Sequence, residues 1–82
     1  MTTTESPNMP HYQQEDYRNR FVGRKLLGAS STSAGQGEVL RSHLPRNHRV
    51  LRIGDDPPQD FDGWRMTLLI DEHNMIRRID FY

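Results

Sequence analysis

With 82 residues and no cysteine, the chain has room for one domain and no disulfide to reinforce it. Eleven Lys and Arg residues balance eleven Asp and Glu residues, so the net charge indicates no class of partner. No stretch approaches the roughly 20 apolar residues of a membrane span, and the first residues lack the basic start and apolar run of a secretory signal. The compartment stays open, with the cytoplasm slightly favoured.

The first 16 residues are rich in Thr, Gln, Pro, Asn and acidic side chains and nearly lack aliphatic ones. Such a segment cannot offset the entropy cost of ordering by burying apolar surface. Residues 1–16 are therefore predicted to be a disordered tail. Tyr17 is the first anchor for a core, and residues 17–82 are predicted to form a single α+β domain.

A short helix is predicted at residues 38–44, after a Gly- and Ser-rich segment at residues 28–37. Its large side chains recur at positions i, i+1, i+4 and i+5, which lie on one face of a helix. These side chains are Val39, Leu40, His43 and Leu44. A Ser or Thr at residues 31–33 can cap the start of the helix, and Pro45 ends it.

Three β-strands are predicted in the second half of the chain. The first covers residues 49–53 and the second covers residues 64–70. Side chains alternate along the second strand, and one of its faces is apolar: Trp64, Met66, Leu68 and Ile70. The third covers residues 75–81 and is predicted to run antiparallel to the second, after a turn in which Asn74 suits a left-handed conformation.

The connection between the first two strands, from Gly54 to Trp64, is long, acidic and without a helical pattern. Unstructured connections of this length in a small domain tend to be functional. Pro57 and Pro58 restrict the backbone and favour an extended conformation in the residues before them. Because a loop already held extended loses less entropy on binding, the sequence predicts an exposed binding loop here.

The order of these segments resembles the potato-inhibitor-I family of serine protease inhibitors, the family of the barley chymotrypsin inhibitor and eglin. The matching segments are Phe21-Val22-Gly23, a helix, Arg49-Val50-Leu51-Arg52-Ile53-Gly54, a long loop, Arg65, an apolar strand, Asp71, a turn and Ile76. A related bacterial and fungal family of elastase inhibitors is similar too, especially in Leu44-Pro45, Arg49-Val50 and Ile70-Asp71-Glu72. The resemblance covers roughly residues 21–79 and has no gap from Val50 to Ile79.

The resemblance implies a fold in which one short helix packs on a small mixed sheet and the long loop joins two parallel strands. It also implies that the protein is not an enzyme and needs no cofactor. The loop would enter the cleft of a subtilisin- or chymotrypsin-like serine protease as an extended strand. There it would mimic a substrate and be cleaved only slowly.

Carried over by position, the resemblance places the reactive bond between Gln59 and Asp60. The residues that would occupy the protease on either side of this bond are Asp56, Pro57 and Pro58 before it, and Phe61 and Asp62 after it. Arg65 would brace the loop from beneath, through loop carbonyls or the Asp60 carboxylate. Thr67 stands where many members carry a second bracing arginine, so it is the other candidate support.

Other functions remain open at this point. The acidic loop could serve a non-protease partner through four carboxylates: Asp55, Asp56, Asp60 and Asp62. The basic stretch at residues 41–52 could contact nucleic acid, but it lacks the aromatic platforms that usually accompany such binding. The four histidines show no metal-ligand spacing, so no metal is expected. The oligomeric state stays open, with a monomer expected.

Overall fold

A computed structural model of the chain describes residues 8–56 and 58–82. In chain order its elements are α1 (His11–Phe21), β1 (Lys25–Leu26), β2 (Glu38–Val39), a short 3-10 helix (Arg41–His43), β3 (His48–Arg52), β4 (Met66–Ile70) and β5 (Ile76–Phe81). Part of the predicted tail, residues 1–7, lies outside the described residues, as does Pro57. No helix in the described ranges is long and apolar enough to cross a membrane.

The main sheet has three strands in the order β3–β4–β5, with β4 in the middle. Strand β3 runs parallel to β4, and β5 runs antiparallel to it. Strands β1 and β2 form a separate parallel pair of two residues each. The predicted α+β class, with a small mixed sheet and two parallel strands, is therefore confirmed.

The core lies on the face of the sheet that α1 covers. Its most deeply buried side chains, each at most 1% exposed, are Met66, Leu68, Ile76, Ile79 and Val39. From the helix, the Tyr17 ring stacks on Phe21 at 6.0 Å between centroids and meets Phe81 of β5 at 6.1 Å. The predicted apolar face of β4 is buried, with Met66, Leu68 and Ile70 each at most 4% exposed. Burial does not alternate along the whole strand, because Thr67 on the other face is buried too, and Leu69 on that face is half-buried.

The tail prediction is wrong for the described residues 8–16. Met9 is buried in the core, ahead of the predicted first anchor Tyr17, and residues 11–16 form the first part of α1. This part of the helix buries little of its own surface but is supported by ion pairs along the helix. The Arg18 guanidinium lies 2.6 Å from the Glu15 carboxylate, and the Arg20 guanidinium lies 3.4 Å from that of Asp16. Packing of Tyr17 and Phe21 against the sheet fixes the helix C-terminal end, so the polar first half is ordered as its extension.

The predicted helix at residues 38–44 is also wrong, because this segment holds β2 and the short 3-10 helix instead. Gly37 has a φ of 78°, which turns the chain into β2, and the Val39 carbonyl accepts a hydrogen bond from the Leu27 amide at 2.9 Å. Val39, Leu40 and Leu44 are buried as expected. They reach the core from extended backbone, which a short apolar run cannot distinguish from a helix.

The turn between β4 and β5 is built as the sequence predicts. Asn74 has a φ of 63°, the left-handed conformation that Asn tolerates well. The Asp71 carboxylate accepts hydrogen bonds from the amides of His73 and Met75 at 2.8 and 3.0 Å. These two bonds lower the pKa of Asp71, with the Met75 amide as the larger cause.

Candidate functional site

The candidate loop joins two strands that are parallel neighbours, so it has to return along the sheet from the end of β3 to the start of β4. Such a crossover takes about a dozen residues and usually contains a helix. Here the described residues of the crossing, 53–56 and 58–65, contain no helix. The crossing begins with a tight turn in which Gly54 has a φ of 100°, a conformation that favours glycine.

The Asp60 carboxylate is held by two guanidinium groups. Arg65, just before β4, donates from Nη2 to Oδ2 at 2.8 Å, and Arg49 in β3 donates from Nη1 to Oδ1 at 3.2 Å. Both arginine side chains are 20% exposed, whereas that of Asp60 is 61% exposed. The middle of the loop is thus tied to β3 and to the residue that immediately precedes β4.

The arginines are themselves positioned by β4 and the last residue of the chain. Arg49 Nε donates to the Thr67 hydroxyl at 3.3 Å, and that hydroxyl donates to the Tyr82 main-chain oxygen at 3.3 Å. The same oxygen accepts from Arg49 Nη2 and from Arg65 Nε. Thr67 is only 3% exposed and makes these bonds beneath the loop. Its support for the loop therefore acts through Arg49.

Hydrogen bonds from Arg49, and then from Arg65, hold the pKa of the Asp60 carboxyl below its usual value. The carboxylate is therefore charged at neutral pH, and both contacts are charge-assisted hydrogen bonds. An exposed ion pair is ordinarily weak because water screens it and long side chains must be ordered. Here the two guanidiniums are already ordered by the Tyr82 oxygen and the Thr67 hydroxyl, which reduces that cost.

Asp62 fixes the downstream part of the loop. Its carboxylate accepts from the Trp64 amide at 2.9 Å and from the Asn47 side-chain amide at 3.0 Å. These bonds lower the pKa of Asp62, with the Trp64 amide as the larger cause. The Asp62 carbonyl in turn accepts from the Arg65 amide at 3.0 Å. This carboxylate is thus used inside the protein, to close the end of the loop.

The side chains beside the predicted reactive bond point to solvent. Gln59 is exposed, and Phe61 is 67% exposed. Between them, the Asp60 carboxylate turns inward to Arg49 and Arg65. Of the residues predicted to precede the bond, Asp56 is exposed, Pro58 is half-buried, and Pro57 lies outside the described residues.

Of the two kinds of partner predicted for Arg65, loop carbonyls or the Asp60 carboxylate, the structure shows the Asp60 carboxylate. Sequence reasoning missed Arg49 and Asn47. Arg49 pairs in register with Thr67 across the two parallel strands. The second guanidinium therefore comes from the neighbouring strand, at the level of Thr67. The sequence could have indicated Arg49 once the two strands were predicted to be parallel, but only with their register known. In contrast, nothing in the local sequence marks Asn47 as a partner of Asp62.

Within residues 8–56 and 58–82, no three His, Asp or Glu side chains converge as metal ligands would. Comparison with protein-family models, with curated proteins and with solved structures finds no match to the chain. The site is therefore interpreted from its own geometry.

Proposed function

We propose that this protein inhibits serine proteases of the subtilisin or chymotrypsin-like class by offering residues 56–62 as a substrate-like segment. Gln59 would enter the primary specificity pocket, and the reactive bond would be Gln59–Asp60. The observation that carries the proposal is the Asp60 carboxylate, held by Arg49 and Arg65 beside the exposed Gln59.

This arrangement supports slow and reversible cleavage. An extended segment would pair with the protease main chain, as in strand addition. When the protease cuts the bond, the new amine belongs to Asp60, whose side chain stays bound to Arg49 of β3 and to Arg65 just before β4. Because the amine is held near the acyl group, re-forming the bond competes with hydrolysis. A loop ordered in advance also loses less entropy on binding.

The internal bonds of the loop aspartates favour this function over an acidic docking loop. The Asp55 carboxylate accepts a hydrogen bond from the Arg52 amide at 2.9 Å. The carboxylates of Asp60 and Asp62 are bound as described above. Three of the four loop carboxylates are therefore engaged within the protein, and a partner that sought them would have to break those bonds. For a protease, the same bonds reduce the number of unpaired carboxylates to be desolvated in its subsites.

The proposal is tested by incubating the protein with subtilisin, chymotrypsin and elastase, and following residual activity and fragment masses over time. We expect inhibition of at least one protease and slow cleavage confined to Gln59–Asp60. Absence of inhibition across a wider serine protease panel, rapid degradation, or cleavage elsewhere in the chain would contradict the proposal.

A matched pair of variants tests the register of the loop. Gln59→Leu should tighten inhibition of a protease with an apolar specificity pocket about tenfold or more, since burying a leucine side chain contributes about 1.5–3 kcal/mol. Gln36→Leu makes the same substitution at an exposed position outside the loop and should leave inhibition unchanged. Equal effects of the two variants would show that Gln59 does not enter the pocket.

A further inference from the structure

The chain segment before α1 lies alongside the downstream end of the loop. The Met9 amide donates to the Gly63 carbonyl at 2.9 Å, and Asn8 forms a parallel bridge with Gly63. Met9 is 6% exposed and belongs to the core cluster, and Gly63 is buried as well. This contact is therefore buried. Its N-terminal partners, Asn8 and Met9, precede residue 21, where the family resemblance begins.

The helix holds this segment in place. The Gln14 side-chain amide donates to the Met9 carbonyl at 2.7 Å, and its oxygen accepts from Arg18 Nη2 at 3.3 Å. Arg18 Nε donates in turn to the Ile79 carbonyl of β5 at 2.8 Å. A continuous series of hydrogen bonds thus runs from β5 through α1 to Met9 and on to Gly63.

The half of the loop after the Gln59–Asp60 bond is consequently fixed at three positions. Asp60 is bound by the two arginines, Asp62 by Asn47 and the Trp64 amide, and Gly63 by Met9. The third tie differs from the others because it comes from the start of the chain and depends on no charge.

We propose that Asn8 and Met9 act as a clasp that positions the downstream half of the loop, so that a cleaved Gln59–Asp60 bond can be re-formed. The second part rests on the proposed function. Cleavage transfers the Gln59 acyl group to the protease serine and leaves a free amine on Asp60. In re-formation, that amine attacks the acyl carbonyl, the ester bond to the serine breaks, and the proton released by the amine returns to the serine oxygen.

Amide hydrogen exchange of the free, full-length chain tests the clasp without any protease. Gln14→Ala removes the bond to the Met9 carbonyl while keeping a good helix former, and Gln13→Ala is the matched control. We expect the Met9, Trp64 and Arg65 amides to exchange about fivefold faster in Gln14→Ala, the effect of losing one hydrogen bond. Exchange in the control, and at Leu68 in both variants, should be unchanged. Unchanged exchange at Trp64 and Arg65 in Gln14→Ala overturns the clasp.

A second variant removes the donor itself. A synthetic chain in which Met9 is replaced by the corresponding α-hydroxy acid has an ester oxygen in place of the amide N–H and keeps the side chain. Trp64 and Arg65 should again exchange about fivefold faster. A normal exchange rate in this chain would also overturn the clasp, because the bond to Gly63 is then absent.

Cleavage by subtilisin then separates the two proposals. Net hydrolysis of Gln59–Asp60 should be about fivefold faster in Gln14→Ala than in Gln13→Ala, with equal rates of association. Faster exchange together with unchanged hydrolysis overturns the role in re-forming the bond. Faster exchange in a protein that inhibits no protease supports the clasp and overturns the proposed function.

Discussion

At the scale of the residue, Asp60 illustrates how little the type of a side chain says about its use. An aspartate in an acidic loop is an obvious candidate for a free surface charge. In the structure its carboxylate instead receives one guanidinium from Arg49 in β3 and one from Arg65, just before β4. The Asp60 charge, which would hinder entry into an apolar protease subsite, is thereby paired within the protein.

Protonation of Asp60 should loosen the loop. Because the arginines lower its pKa in the folded protein, Asp60 stabilises the fold at pH values above the unfolded pKa. This contribution is lost as the pH falls below about 4 and through the lower folded value. The urea midpoint of the wild type should therefore exceed that of Asp60→Asn at neutral pH, and the difference should disappear in acid. A difference that persists below about pH 2 would contradict this.

Sequence reasoning can identify one partner of Asp60 and not the other. Arg65 is close in sequence and, with Thr67 and Leu69, alternates away from the apolar face of its strand, so period-2 alternation places it on the loop side. Arg49 reaches the same carboxylate from a strand that pairs with β4 across the crossover. Its position depends on the register of two parallel strands, and register is not a local property of the sequence.

At the scale of the element, the strands were predictable and the helices were not. The three main strands begin and end within two residues of their predicted bounds, because alternation and β-branched residues are local signals. Helix α1 is polar around most of its surface, and its order depends on contacts of Tyr17 and Phe21 with the core. Such tertiary stabilisation leaves no periodic pattern to detect.

The end of β3, one of the two outer strands of the sheet, is capped by the turn that begins the loop. Strand β3 has a neighbour on one side only, and an open strand edge can pair with another chain. At its end, the Arg52 amide donates to the Asp55 carboxylate, and the Arg52 carbonyl accepts from the Asp55 amide, both at 2.9 Å. The main-chain amide and carbonyl of Arg52, the last residue of β3, are thus both hydrogen-bonded within the protein.

The central strand should be the most sensitive element. Leu68 is fully buried in β4, so Leu68→Ala should lower the free energy of unfolding by about 2–5 kcal/mol. Leu69→Ala removes the same atoms from the half-buried opposite face of the same strand and should cost clearly less. Urea denaturation of both variants checks the difference. Equal losses would mean that the core does not lie on the α1 face.

At the scale of the whole molecule, the predicted reactive bond divides the core between two pieces. Residues 60–82 carry both β4 and β5, and residues 8–56 carry α1 and β3. Among the described residues, twelve apolar side chains are buried, and half of them lie in residues 60–82: Met66, Leu68, Ile70, Ile76, Ile79 and Phe81. Neither piece can bury its apolar surface without the other.

A protein cut at Gln59–Asp60 should therefore remain a two-chain complex. Native mass spectrometry should show the mass of both pieces together, and urea should separate them at a lower concentration than it unfolds the intact chain. Separately prepared pieces should combine on mixing, with recovery of sheet signals in circular dichroism. Pieces that come apart on dilution in neutral buffer would contradict the prediction.

The crossover between the parallel strands has one more consequence. Because β3 and β4 lie side by side and point the same way, the two ends of a cut crossover emerge from a single folded particle. Their effective concentration is then set by the fold and is independent of how dilute the protein is. In a cleaved molecule whose pieces stay associated, the two new termini therefore remain available to each other for rejoining.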